Sequence, residues 1–259
     1  MHIVIDQRIE HEIAHGKHLR EIWSGTFWYW ETVAGKLRWR RRVEMLTSHI
    51  TSMMKVLEIG CGIGYFTAEI AKSKADVVAI DISRDLLEVA RAKVRASNVV
   101  FKEENAYALG FQNNAFDTII GSSVLHHLDV SKALAEFSRV LKPGGTIFFT
   151  EPNMLNPQVF LERHTALFGY LIKKSPDETA FIRWSLNQQL LKHGFCDVQI
   201  VPFDFLHPLT PRYLIPIVRR VGACLEKMPL INEIAGSLYI KASKPINSTA
   251  SKTIRIQSS

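Results

Sequence analysis

Residues Val56-Leu57-Glu58-Ile59-Gly60-Cys61-Gly62-Ile63-Gly64-Tyr65 constrain this chain more than any other segment. An apolar run ends in three alternate glycines and passes at once into an amphipathic stretch, so the local unit is a buried strand, a tight loop and a helix. The same alternation continues downstream. Strands are predicted at 55–60, 77–81, 99–104, 116–123 and 146–151, with helices at 65–73, 84–94 and 131–141. Ser83 is the expected N-cap of the second helix, and Lys142-Pro143-Gly144-Gly145 the stop of the third. A helix at 181–194 and strands at 195–203 and 237–244 follow. Strands alternating with crossover helices build a parallel sheet in an α/β fold. With 259 residues there is room for one such domain and a cap.

The spacing within the loop decides what it can hold. A dinucleotide fingerprint places a third glycine where this chain has Tyr65, so a pyrophosphate is disfavoured. Alternate glycines still let backbone approach a ligand closely, while Glu58 offers negative charge that attracts an ammonium group and repels phosphate. Asp81 ends the second strand, where a carboxylate accepts both hydroxyls of a ribose. A ribose on one side and a cationic, phosphate-free group on the other describe S-adenosylmethionine better than NAD or ATP.

Together, VLEIGCGIGYFT, VVAIDIS, ENAYALGFQNNAFDTIIGSSVLHHL and RVLKPGGTIFFTEPN resemble the class I S-adenosylmethionine-dependent methyltransferases, in the small-molecule branch similar to quinone-biosynthesis enzymes. The resemblance covers about residues 36 to 200. It implies a Rossmann-like, seven-stranded, mostly parallel sheet of order 3-2-1-4-5-7-6, with the last strand antiparallel and helices on both faces. It also implies S-adenosylmethionine as cofactor and S-adenosylhomocysteine as product. By position, Gly60, Cys61, Gly62 and Gly64 take the methionine side and Glu58 the ammonium end, with Ser122 and Ser123 facing the methionine portion. Asp81 with Ile82 take the ribose and adenine edge, and Asn105 with Ala106 the adenine. The family usually has an acidic residue where Asn105 stands; an amide oxygen there still accepts from the adenine amino group.

His126 and His127 lie just past the fourth strand, beside the expected methyl group, and Glu151 ends the fifth. A carboxylate that orients an imidazole makes a general base, so His127, His126 and Glu151 are the catalytic candidates. The plain alternative is a histidine satisfied by backbone groups. Alignment of methyl donor and acceptor alone also accelerates transfer, so a base is not obligatory. His11-Glu12-Ile13-Ala14-His15 matches the HExxH pattern of zinc proteases, with His18 on the same helical face. Only ten residues precede it, too few for the sheet that supports such a helix, and the expectation is an ordinary cap helix with no metal.

Residues 1–45 are expected to form a helical N-terminal cap, 46–245 the core, and 246–259 a flexible tail. Substrate-lid segments are placed at about 154–181 and 204–236. Trp23, Phe27, Trp28, Tyr29, Trp30 and Trp39 read as cap packing or as an acceptor platform. Tyr29, Trp30, Arg38, Arg41, Arg42 and His207 are the acceptor-site candidates, the arginines for an anionic group.

The net charge of +7 is concentrated in residues 207–259, which carry 8 basic against 2 acidic side chains. No motif for nucleic acid accompanies it, and a small-molecule partner is expected, with peripheral lipid contact left open. No apolar run reaches membrane-spanning length and no leader is visible, so a cytoplasmic location is expected. Three scattered cysteines supply neither a disulfide framework nor a metal site. The rival readings are an RNA-directed methyltransferase of the same fold and a non-catalytic binding protein. Acceptor atom and oligomeric state are not readable from residues alone.

Overall fold

A computed structural model describes residues 7–21, 29–164 and 180–246. Its strands are β1 (Lys55–Ile59), β2 (Asp76–Asp81), β3 (Val99–Glu103), β4 (Phe116–Ser122), β5 (Leu141–Pro152), β6 (Cys196–Phe203) and β7 (Ser237–Ser243). They form a seven-stranded sheet of order β3-β2-β1-β4-β5-β7-β6. β1 pairs in parallel with both β2 and β4, whereas β7 runs antiparallel to β5 and β6. This is the topology that the resemblance implied.

The central strands read as continuous apolar runs because both faces are covered. On one face Leu57, Ile119, Ile147 and Phe149 pack with Leu134 and Phe137 of α5 (Val130–Val140) and with Leu186 and Leu190 of α7 (Arg183–Lys192). On the other, Val56, Ile120 and Phe148 meet Ile70 of α3 (Thr67–Ile70) and Leu46 of α2 (Val33–Thr47). Adjacent residues of β1 therefore serve opposite layers, as a pleated strand demands. Ser83 caps α4 (Arg84–Lys93), its hydroxyl accepting from the Leu86 N–H, as expected.

Two local expectations change. The helix after the glycine loop is a single turn, α3, continued by a 3-10 turn over Ala71–Ser73. The Lys142-Pro143-Gly144-Gly145 segment is no separate stop: β5 begins at Leu141, which pairs with Phe116. Gly144 donates to the Lys244 carbonyl and Lys244 to the Gly145 carbonyl, so the turn is drawn into the sheet.

The N-terminal helices do different work. α2 packs on the sheet through Leu46 and is riveted to the segment after β6: buried Arg42 donates to Asp204 Oδ2 at 2.8 Å and to Ser237 Oγ at 2.6 Å. Arg38 donates to the same Asp204 oxygen at 2.8 Å, and Arg41 forms a bidentate pair with Glu226 at 2.6 and 2.7 Å. α1 (Gln7–Glu21) instead lies against α4, where a β-carbon on Gly16 would collide with Ser83 Oγ. Only glycine permits that approach.

α6 (Pro157–His164) and α8 (Ile215–Leu225) occupy parts of the expected lid segments. Residues 165–179 of the first lid and 247–259 of the expected tail fall outside the described residues, as do Trp23, Phe27 and Trp28.

Candidate active site

A cavity opens at the carboxyl ends of β1, β2 and β4, the position where open parallel sheets bind ligands. Gly60 and Gly62 line it after β1, Asp81, Ile82 and Ser83 after β2, and Asn105 and Ala106 after β3. Ser123, Val124 and His127 close the β4 side, and Arg8, Ile9, Glu12 and Gly16 of α1 lie across it. Gly60 adopts φ +63, and a β-carbon there would collide with the Val124 side chain, so two requirements converge on glycine.

Asp81 is held rigidly. Its Oδ2 accepts from the Gly62 N–H at 2.8 Å and its Oδ1 from the Ser83 N–H at 2.9 Å. Burial raises its carboxyl above the ordinary value and these two bonds oppose the rise. Each oxygen keeps a second acceptor site for a ligand hydroxyl. Asn105 Oδ1 accepts from the Tyr107 N–H at 2.9 Å, which fixes the amide at the cavity wall. Next to it stands Glu104, an acidic neighbour that sequence reasoning passed over.

Several expected residues stand behind the cavity wall. Glu58 is buried, and its Oε2 accepts from the Thr67 hydroxyl at 2.6 Å; burial pushes its carboxyl up to about 8, so it holds a proton at neutral pH. The pleat explains this: neighbouring Ile59 faces the cavity, so Glu58 faces the other layer. Cys61 and Gly64 likewise do not border the cavity; the Cys61 N–H donates to the Ile80 carbonyl, and burial raises its thiol well above the ordinary value. Ser122 pairs with Thr150 at 2.8 Å, and Ser123, with φ 55, turns to the cavity in its place.

The two histidines part company. His126 is buried with Nδ1 2.7 Å from Glu151 Oε2. The other Glu151 oxygen accepts the Val124 and Leu125 N–H groups at 3.0 and 2.9 Å, tying together the turn after β4. Burial raises Glu151 to about 7 despite those bonds. The expected His-Glu pair thus exists, but as a strut inside the wall. His127 faces the cavity, its ring centroid 4.2 Å from that of His126, with Nδ1 3.1 Å from the carboxylate of Glu12 on α1. Glu12, the glutamate of the HExxH pattern, therefore reaches an imidazole far along the chain. The side chains of His15 and His18 fall outside the described residues, and among those described no group of three His, Cys, Asp or Glu side chains could hold a metal ion.

The acceptor-site arginines are corrected by their surroundings. Arg38, Arg41 and Arg42 are committed to Asp204 and Glu226, and none borders this cavity: Arg38 and Arg41 line a separate surface groove and Arg42 is buried. Trp30 meets Phe66 edge-on at 6.4 Å with the Arg42 guanidinium 5.7 Å from its ring. Exposed Tyr29 offers its carbonyl to Thr32, and His207 lies against Gln158 at 2.8 Å; neither borders the cavity.

Residues 57–149 match the family described as Methyltransferase domain. The demethylmenaquinone methyltransferase of Staphylococcus aureus is similar in several strains. In MRSA252 it is 33% identical over 159 residues, covering 57% of this chain and 66% of the relative. In JH9 it is 30% identical over 186 residues, covering 64% and 77%. Among solved structures, a possible histamine N-methyltransferase from Thermotoga maritima aligns with TM-score 0.63 at 18% identity, over 89% of this chain and all (100%) of that one. Phosphoethanolamine N-methyltransferase 2 from Haemonchus contortus, in complex with S-adenosyl-L-methionine, aligns with TM-score 0.58 at 19% identity, over 82% of this chain and 53% of that one. At these identities the two structures show the fold alone.

Proposed function

The chain belongs to the class I S-adenosylmethionine-dependent methyltransferases, and we propose that it transfers a methyl group from that cofactor to a small acceptor of the demethylmenaquinone class. One observation carries the cofactor side. Among the described residues the cavity is lined by three carboxylates, Glu12, Asp81 and Glu104, against a single arginine, Arg8, which suits a cation and opposes a pyrophosphate. The cofactor, when bound, supplies an electrophilic methyl group on a positively charged sulfur.

The chain's own residues bind and align. Asp81, pre-oriented by Gly62 and Ser83, accepts the ribose hydroxyls. Ile82, Asn105 and Ala106 hold the adenine, and the Gly60–Gly62 backbone lies along the methionine portion. Glu58 acts at one remove, holding Thr67 and so the start of the helix behind the loop. Bringing acceptor and methyl into line supplies up to about 7 to 11 kcal/mol in favourable systems. A His127 that donates its Nδ1 hydrogen to Glu12 carries its lone pair on Nε2, where it accepts the proton that the acceptor loses.

The acceptor class rests on the staphylococcal relatives and on the apolar wall formed by Val124 and Leu128 beside His127. Incubating the full chain with methyl-labelled cofactor and a short-chain demethylmenaquinone kept reduced tests it. Label in the quinone product supports the proposal; binding of S-adenosylhomocysteine without transfer of label refutes the acceptor class and leaves the cofactor site standing.

A further inference from the structure

α8 and the turns beside it expose a surface that the reaction does not use. The helix is held by a narrow inner stripe: Ile215 and Gly222 are buried, and Val218 packs with Ile215 against Ala34, Leu37 and Leu206. Ile217, Val221 and Cys224, spaced four and three residues apart, form a second stripe that faces outward. Ile217 is 61% exposed and Val221 52%. The stripe is extended by Tyr213 (80% exposed) and Leu214 before the helix and by Met228 and Leu230 (85%) after it. So many large apolar side chains exposed within one short segment mark an interaction surface.

Charge indicates the partner. Arg212, Arg219, Arg220 and Lys227 are exposed along the same segment, and among the described residues none of them pairs with a carboxylate. The only two carboxylates nearby in sequence, Glu226 and Glu233, are engaged by Arg41 and Arg183 at 2.6 and 2.7 Å. What faces outward is therefore an apolar stripe with Arg220 beside it and Arg212 and Lys227 near its ends, whereas Arg219, two positions from Ile217 and from Val221, turns to the groove against α2. A second copy of the chain, docked about a two-fold axis, would bring those cations against their own equivalents. A polyanion without an apolar phase would leave Ile217, Val221 and Leu230 in water. An anionic bilayer satisfies both halves of the surface, since acyl chains accept the apolar stripe and headgroup phosphates the cations.

We propose that this face docks on an anionic lipid membrane, with Tyr213, Leu214, Ile217 and Val221 entering the acyl boundary and Arg212, Arg220 and Lys227 meeting the headgroups. The inference stands apart from the reaction proposed above. Among the described residues no helix is long and apolar enough to cross a membrane, so the contact is peripheral.

Co-flotation of the full chain with vesicles tests it, comparing phosphatidylcholine alone with phosphatidylcholine mixed with phosphatidylglycerol. The chain is expected to partition about tenfold or more in favour of the anionic vesicles, and added salt should release it. Arg212→Glu with Arg220→Glu should abolish the preference. Ile217→Ser with Val221→Ser should weaken attachment while thermal melting and S-adenosylhomocysteine binding stay as in the parent. Equal partitioning on both vesicles, or variants that float like the parent, overturns the proposal. So does a dimer, in sedimentation, that the serine variant dissociates while vesicles attract neither form.

Discussion

Glu12 of α1 and His127, 115 positions later, face each other at 3.1 Å on the wall of the cavity. The contact joins the N-terminal helix to the turn that follows β4, so one carboxylate both orients the imidazole and helps to close the site. Glu12→Gln and His127→Ala are each expected to lower turnover by about 10- to 100-fold. The double variant should be no slower than the worse single one, because the two act as a unit. Rates that multiply in the double variant would contradict a shared role.

Gly16 sets how closely α1 rests on Ser83. Gly16→Ala has to push the helix away from the cavity while leaving the sheet untouched. The expected outcome is weaker S-adenosylhomocysteine binding by calorimetry, with a melting temperature within about 2 °C of the parent, as for a substitution that leaves the core intact. A large loss of melting temperature with unchanged affinity would show that α1 supports the core and not the site.

Asp204 binds α2 to the segment after β6. Burial alone would raise its carboxyl, but the Arg42 and Arg38 guanidiniums more than offset that and hold it at about 2, against an ordinary 3.8. A depressed acid contributes stability above its ordinary value, and that contribution, about 2 kcal/mol, is lost as pH falls through the interval between the two. Asp204→Asn leaves two guanidiniums without a counter-charge and should cost about 3 kcal/mol in denaturant unfolding at neutral pH. The gap should narrow in acid; a gap independent of pH would exclude the ion pairs as its source.

Glu58 has the opposite sign. Burial holds its carboxyl at about 8 in the folded chain against an ordinary 4.5, so the unfolded chain releases a proton that the folded chain keeps. Stability therefore falls as pH rises between those values. Burial of Glu151, raised to about 7, adds its own decline, which makes the difference between variants the useful quantity. The melting temperature of Glu58→Gln should decline less steeply than the parent's over this range. Parallel curves would show that Glu58 does not carry a proton in the fold.

Much of the sheet and half of the cavity were legible because they are local. Gly60 and Gly62 follow β1 directly and Asp81 ends β2, so strand periodicity places them at one edge without long-range information. The pleat would also have turned Glu58 away from the cavity, had its period of two been counted from Ile59. The contribution of α1 was not legible, since nothing in HEIAH states that Glu12 meets His127 and Gly16 meets Ser83. Nor were the arginines: Arg38 and Arg42 read as a basic cluster until Asp204, 166 and 162 positions on, supplies their counter-charge. His126 and His127 are adjacent and chemically identical, and only the tight turn after β4 sends one into the wall and the other to the cavity.

The electrostatic character of the cavity is the point on which the rest depends, and isothermal titration calorimetry measures it directly. S-adenosylmethionine and S-adenosylhomocysteine should both bind the full chain at one site, with Asp81→Ala weakening each by about tenfold or more, as loss of a charged hydrogen-bond acceptor requires. Tighter binding of NADH than of either compound, or no heat from either in a folded sample, would contradict the account.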